Sequence, residues 1–253
     1  MAIPLPEPRY FEAEDGIRLA WRELGEGRPL VLLHGFMSDA VTNWIRFGHA
    51  EAVAARGFRV IMMDFRAHGA SDKPHDLAHY PRDILTRDGH ALIAHLGLMD
   101  YDLGGYSLGA RTVSRMLATG ATPRRAIISG MGLAGLTDTG RRAGHFRNIL
   151  ENLGHHERGT PEWMAEAFLK TAGGDAQALL GIIGTFADTP LETIRGFDLP
   201  VQVLIGDEDG DNGSGPDLAA ELPQATLSMV PGGHMSAVTK PELGQAMAAF
   251  LAA

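Results

Sequence analysis

Five short apolar runs, spaced along the chain and separated by helix-like patterns, constrain its fold more than any other feature. They cover residues 30–33, 60–63, 126–128, 201–205 and 227–230. A strand with one wet face alternates apolar and polar residues. A run that is apolar nearly throughout is covered on both faces, as in a parallel sheet. Between the runs lie patterns of helical period. Residues 51–56 end at Gly57 and residues 83–96 end at Gly97. Residues 108–119 carry Ala110, Val113 and Leu117 on one face and Arg111 and Arg115 on another, then stop at Gly120. Alternation of this kind predicts a doubly wound, mostly parallel α/β sheet.

Two stretches depart from it. Residues 10–12 and 17–23 flank an Asp15-Gly16 turn, which predicts an antiparallel hairpin at the N-terminal edge. From 131 to 190 the patterns are helical only, at about 139–152, 161–171 and 176–186. A helical stretch of that length between two strand signals predicts a small cap, 131–190, inserted into a core made of 1–130 and 191–253. The alternation resumes after Pro200 and ends in a helix over 241–251. A length of 253 residues suits one large domain with such an insertion.

The formal charge of −9 argues against a nucleic-acid partner, which demands a basic face, and against a polybasic membrane patch. The absence of cysteine excludes a disulfide framework, a thiolate metal site and a cysteine nucleophile. Residues 1–15 have no apolar core of signal-peptide length, and no run approaches the roughly 18–20 apolar residues of a membrane span. The expectation is a cytoplasmic protein with no membrane or nucleic-acid partner. Charge carries no expectation for oligomeric state.

Four motifs sit at the ends of predicted strands, where open α/β sheets place their sites. Gly105-Tyr106-Ser107-Leu108-Gly109 follows a weak strand signal over 101–104 and opens the 108–119 helix. Glycines two before and two after Ser107 permit a turn tight enough to hold its hydroxyl above the sheet edge. His34-Gly35-Phe36 follows the first apolar run. Acyl transfer needs two N–H donors aimed at the developing oxyanion. Leu108, the residue after the nucleophile, and Phe36 are placed to supply them, with His34 bracing the loop. His234 follows the last strand in Pro231-Gly232-Gly233-His234, where a base could reach Ser107. Asp207, Glu208, Asp209 and Asp211 follow the 201–205 strand and compete for the role of orienting acid.

Taken together, these motifs resemble the α/β-hydrolase superfamily over essentially the whole chain. His34-Gly35-Phe36 resembles its oxyanion loop. Asp64-Phe65-Arg66-Ala67-His68-Gly69-Ala70-Ser71 is similar to its Asp-x-Arg-Gly-x-Gly-x-Ser turn, with Ala67 in place of the usual glycine. Gly206-Asp207-Glu208-Asp209 is similar to its Gly-x-x-Asp, which selects Asp209 as the acid. The resemblance implies the α/β-hydrolase fold with a short helical cap and a Ser107–His234–Asp209 triad. A serine nucleophile disfavours the epoxide-hydrolase and haloalkane-dehalogenase branches, which use aspartate.

The expected activity is hydrolysis of small or medium carboxylic esters through an acyl-enzyme, with no cofactor and no metal. The same triad suits a lactone, a carbon–carbon bond, or a perhydrolase or haloperoxidase-type reaction, although that last group usually carries Trp where Phe36 stands. A ligand receptor with vestigial turnover is the reading from a different class. The residues expected to line the substrate pocket are Phe36, Met37, Tyr106 and Met235, beside the motifs, and Met131 and Trp163 from the cap. Arg141, Arg142 and Arg147 read as a solvated helix face. His75 and His79 have metal-like spacing but are flanked by Pro74 and Pro81 and have no evident third ligand.

Overall fold

The computed structural model describes residues 5–253. Residues 1–4, part of the stretch read above for a targeting signal, lie outside them. The first half of the chain runs β1 (Arg9–Glu12), β2 (Arg18–Leu24), β3 (Arg28–Leu33), α1 (His49–Ala54), β4 (Phe58–Met63), α2 (Ile84–His95), β5 (Asp102–Tyr106), α3 (Leu108–Ala118) and β6 (Ala126–Ser129). Five helices follow: α4 (Leu133–Thr137), α5 (Gly140–Glu151), α6 (Pro161–Thr171), α7 (Ala176–Ile183) and α8 (Leu191–Arg195). The chain then closes with β7 (Val201–Gly206), α9 (Gly215–Glu221), β8 (Ala225–Val230), α10 (His234–Ala237) and α11 (Pro241–Ala252). The helical run between β6 and β7 therefore begins at Leu133 and continues to Arg195.

The strands form one sheet in the order β1-β2-β4-β3-β5-β6-β7-β8. β1 pairs antiparallel with β2, and β2 with β4, while every other pairing is parallel. The apolar runs are continuous because both faces of the sheet are covered. Leu30, Leu32, Val60 and Met62 pack on one side with Val53, Met247 and Leu251 of α1 and α11. Val31, Leu33, Ile61 and Met63 pack on the other with Leu92, Val113 and Met116 of α2 and α3. β5 carries a weaker signal because Gly104 and Gly105 occupy it. A Cβ on Gly104 would stand 2.9 Å from Leu32.

The strand order reverses at β3. The chain leaves β3 toward β4 on one side and returns through α2 to β5 on the other. A crevice opens where the connections leave in opposite directions at the C-terminal ends of two neighbouring strands. The loop after β3 and the turn after β5 border it, and these are the segments carrying Phe36 and Ser107.

An ion network centred on Arg66 joins the turn after β4 to the β1–β2 turn and α2. Arg66, fully buried, makes two 2.7 Å hydrogen bonds to the carboxylate of Asp88 on α2 and a 2.9 Å contact to Asp15 in the β1–β2 turn. Burial alone would raise the Asp15 pKa, but bonds from Arg66 and His79 outweigh it and hold the group at about 2. Ala67, standing where the related turn usually has glycine, adopts φ 67°. Among the described residues no helix is long and apolar enough to cross a membrane.

Candidate active site

The turn after β5 is tight. Ser107 has φ 55° and ψ −110°, a sparsely populated conformation that costs on the order of 1–3 kcal/mol. Its glycine neighbours are required by close approach. A Cβ on Gly105 would fall 2.3 Å from the Gly109 carbonyl carbon, and one on Gly109 would fall 1.9 Å from the Leu33 carbonyl oxygen. α3 is thereby pressed against β3, with Ser107 at its N-cap.

His234 opens α10 directly after β8, so it stands at the first position of a short helix where the sequence suggested a loop. Its Nε2 is 2.9 Å from Ser107 Oγ, and its Nδ1 is 2.9 Å from Asp209 Oδ2. The Tyr106 hydroxyl donates to the His234 carbonyl. Both side chains of the His234–Asp209 pair are almost fully buried, at 8% and 1% exposure. The second Asp209 oxygen accepts from the Asp211 amide at 3.2 Å.

The competing acids have other employment. Asp207 accepts from the Gly232 amide at 2.8 Å and Asp211 pairs with Arg142 at 3.2 Å, while Glu208 is exposed. The structure thus brings Asp209, His234 and Ser107 into one hydrogen-bonded line.

The loop after β3 is held from several sides. The Gly35 amide donates to Asn43 Oδ1 at 2.9 Å, and a Cβ on Gly35 would stand 3.6 Å from that of Ser107. His34 and His68 are buried, and burial pushes both imidazole pKa values down toward the neutral form. Each donates from Nδ1 to a carbonyl, Gly35 for His34 and Arg66 for His68. Each accepts on Nε2, from the Phe65 amide at 3.1 Å and the Met37 amide at 3.3 Å respectively. These two neutral rings clamp the β3 loop to the turn after β4, and Met37 takes φ 60° within the clamp. Among the described residues the Phe36 amide has no backbone acceptor. The Leu108 amide, at the first position of α3, has no intrahelical partner.

A cavity of about 280 Å³ opens over Ser107. Phe36, Met37, Tyr106 and Met235 line it, as expected from the sequence. Met131 and Trp163 do not. Met131 is fully buried, with its sulfur against Gly135. Trp163 is 36% exposed and packs under the Arg158 guanidinium. Helical phase explains the second correction. The α6 face over the cavity is Pro161, Met164, Ala165 and Phe168, which leaves Trp163 on the flank.

Sequence reasoning missed that stripe and also Arg142, His145 and Phe146 of α5. Arg142 was expected on a solvated face together with Arg141 and Arg147. Its side chain is only 16% exposed, and the other two are exposed as expected. His75 and His79 turn to different carboxylates, Asp175 at 2.8 Å and Asp15 at 3.3 Å.

A family model described as the alpha/beta hydrolase fold matches residues 28–132, which run from β3 through β6 and include Phe36 and Ser107. Over that stretch the chain matches the α/β-hydrolase fold family. The chain is 35% identical over 114 residues to a non-heme haloperoxidase of Rhodococcus erythropolis. That match covers 43% of this chain and 38% of the relative, so it spans well under half of the relative's length. Whole-length likeness is found among solved structures. An esterase from Thermogutta terrifontis superposes with a TM-score of 0.78 at 22% identity, covering 97% of this chain and 98% of that one. An enol-lactonase from Burkholderia xenovorans LB400 superposes with a TM-score of 0.75 at 20% identity, covering 97% and 100%. At these identities the likeness is one of fold.

Proposed function

We propose that this protein is a serine hydrolase acting on small carboxylic esters, with 131–190 as a helical cap over its site. The observation that carries the reading is the unbroken line Asp209–His234–Ser107, with 2.9 Å at each link, ending at the floor of the cavity. His234 takes the proton of Ser107 as its Oγ attacks the acyl carbon. The Phe36 and Leu108 amides receive the oxyanion. His234 then protonates the departing alcohol, and Asp209 stabilises the imidazolium throughout. Water, activated by the same histidine, releases the acid. Every step uses side chains and amides of this chain.

A cavity of about 280 Å³ stands near the lower end of small-molecule sites, which span roughly 300–1,000 Å³, and favours short acyl groups. A panel of p-nitrophenyl esters of rising chain length, run beside lactones, tests the reading. Short-chain esters should be turned over fastest, with activity lost in Ser107→Ala and in His234→Ala. Faster turnover of lactones would move the substrate class. Ester hydrolysis by Ser107→Ala at the wild-type rate would overturn the assignment.

A further inference from the structure

Besides Ser107 and His234, the cavity's polar lining includes Ser38, Asn43, Arg142, His145 and Asp211. α5 presents Arg142, His145 and Phe146 toward the cavity, at positions i, i+3 and i+4 of one helical face. The Arg142 guanidinium lies 4.8 Å from the centre of the Phe146 ring, a stacking that fixes its plane. Its one described ion pair is a 3.2 Å contact from Nη2 to Asp211. Its Nε is buried without a hydrogen-bond partner.

Arginine carries five N–H donors in a rigid fork. The bond to Asp211 is the one described from this fork, so a ligand in the cavity can supply acceptors to its exposed amino groups. Asp211 does not fill that role, because its carboxylate is 48% exposed and makes a single bond.

Arg111 and His145 both lie close enough to Arg142 to feel its charge. Burial first, and the charge of Arg142 second, push the neighbouring Arg111 pKa down to about 10. Burial and the same charge lower that of His145, which favours a neutral ring able to donate one hydrogen bond. Glu162 and Asp211 oppose that shift without reversing it.

We infer that Arg142, with His145 beside it, is a specificity-determining subsite for a carboxylate on the substrate, so the preferred substrates are esters or lactones bearing a second, anionic acid group. A half-ester of a short dicarboxylic acid has the required chemistry. Its carboxylate meets the Arg142 fork while its ester carbonyl reaches Ser107 and the two amides. The Ser107 Oγ–acyl bond forms, the ester C–O bond breaks, and the alcohol leaves with the proton held by His234. Water then frees the diacid. The inference rests on the serine-hydrolase reading above and adds the substrate class.

The test compares p-nitrophenyl hydrogen glutarate with its methyl-capped neutral counterpart, read as the ratio of kcat/KM values. Wild type should favour the carboxylate by about tenfold or more, the low end for a charge-assisted bond. Arg142→Gln should abolish the preference, chiefly through KM of the acid. Asp211→Asn removes the competing negative charge and should raise the preference. General damage would lower both rates together and could not move the ratio in opposite directions.

Should Arg142→Gln fail to fold, methyl hydrogen glutarate as an inhibitor of neutral-ester hydrolysis gives the second readout. It should inhibit wild type competitively, and Asp211→Asn more strongly. Wild type that labels at Ser107 and cleaves the neutral ester but shows no preference overturns this inference alone. Hydrolysis of both esters by Ser107→Ala overturns the reading beneath it.

Discussion

Gly109→Ala links the sequence motif to the fold and the chemistry in one substitution. The added Cβ would lie 1.9 Å from the Leu33 carbonyl oxygen, 2.4 Å from its carbon and 2.9 Å from the His34 carbonyl oxygen. Ordinary contact needs about 3.5 Å, so α3 must withdraw from β3 by roughly 1.5 Å. All three atoms are backbone, so no side chain can swing aside to relieve the clash. Overpacking typically costs about 1–3 kcal/mol, and backbone against backbone places this case at the upper end. For a chain of this size that lowers Tm by about 6–12 °C.

The same withdrawal carries Ser107 and the Leu108 amide with it. A displacement near 1 Å at reacting groups costs about 100-fold, so phosphonate labelling should slow by that order. Gly144→Ala is the control. It lies within α5 with nothing within 4 Å of the new Cβ, and should stabilise by about 0.5–1 kcal/mol. Circular-dichroism melting and labelling rates measure both. A Gly109→Ala protein that melts within a degree of wild type and labels at the wild-type rate would refute the reasoning.

Three further outcomes are expected. Asp209→Asn should lower kcat by about 10³–10⁴, whereas Asp207→Asn, whose oxygen still accepts from Gly232, should change it only a few-fold, and steady-state ester hydrolysis decides between them. Asp88→Asn leaves the buried Arg66 guanidinium with Asp15 as its remaining charged partner and should cost about 3 kcal/mol, the low end for breaking a buried pair, read as a lower urea midpoint with unchanged slope. His68 is held neutral by burial, with a folded pKa below its ordinary value of 6.5, so the unfolded chain binds the proton first and stability falls as pH drops below about 6.5. His68→Gln can still accept from Met37 but does not titrate, so it should flatten the loss of Tm between pH 7 and 5.

Much of this arrangement was legible because each motif adjoins a strand with both faces buried. Residues 30–33, 60–63 and 201–205 could pack in few other ways, and the loops following them inherit their place at the sheet edge. Antiparallel pairing of β1 with β2 followed from the Asp15-Gly16 turn. The short helices were not readable. α4, α8 and α10 span five, five and four residues, too few turns to show a period.

Cap-side lining was misread for a different reason. Trp163 and Met164 are adjacent apolar residues, and only the docking of α6 on the cavity decides which faces inward. Arg142 read as solvated because a charge run on a helix usually is, and the sequence alone does not place Asp211 or the cavity beside it. Choosing among Asp207, Glu208, Asp209 and Asp211 drew on family likeness, and the geometry puts Asp209 at 2.9 Å from His234.

The central claim is that Ser107 is an activated nucleophile served by His234. Titration with an activated fluorophosphonate, followed by peptide mapping, tests it most directly. The account predicts one adduct per chain, on Ser107, absent in Ser107→Ala and formed far more slowly in His234→Ala. Full ester turnover by a protein that forms no Ser107 adduct, or an adduct on another residue that abolishes activity, would contradict it.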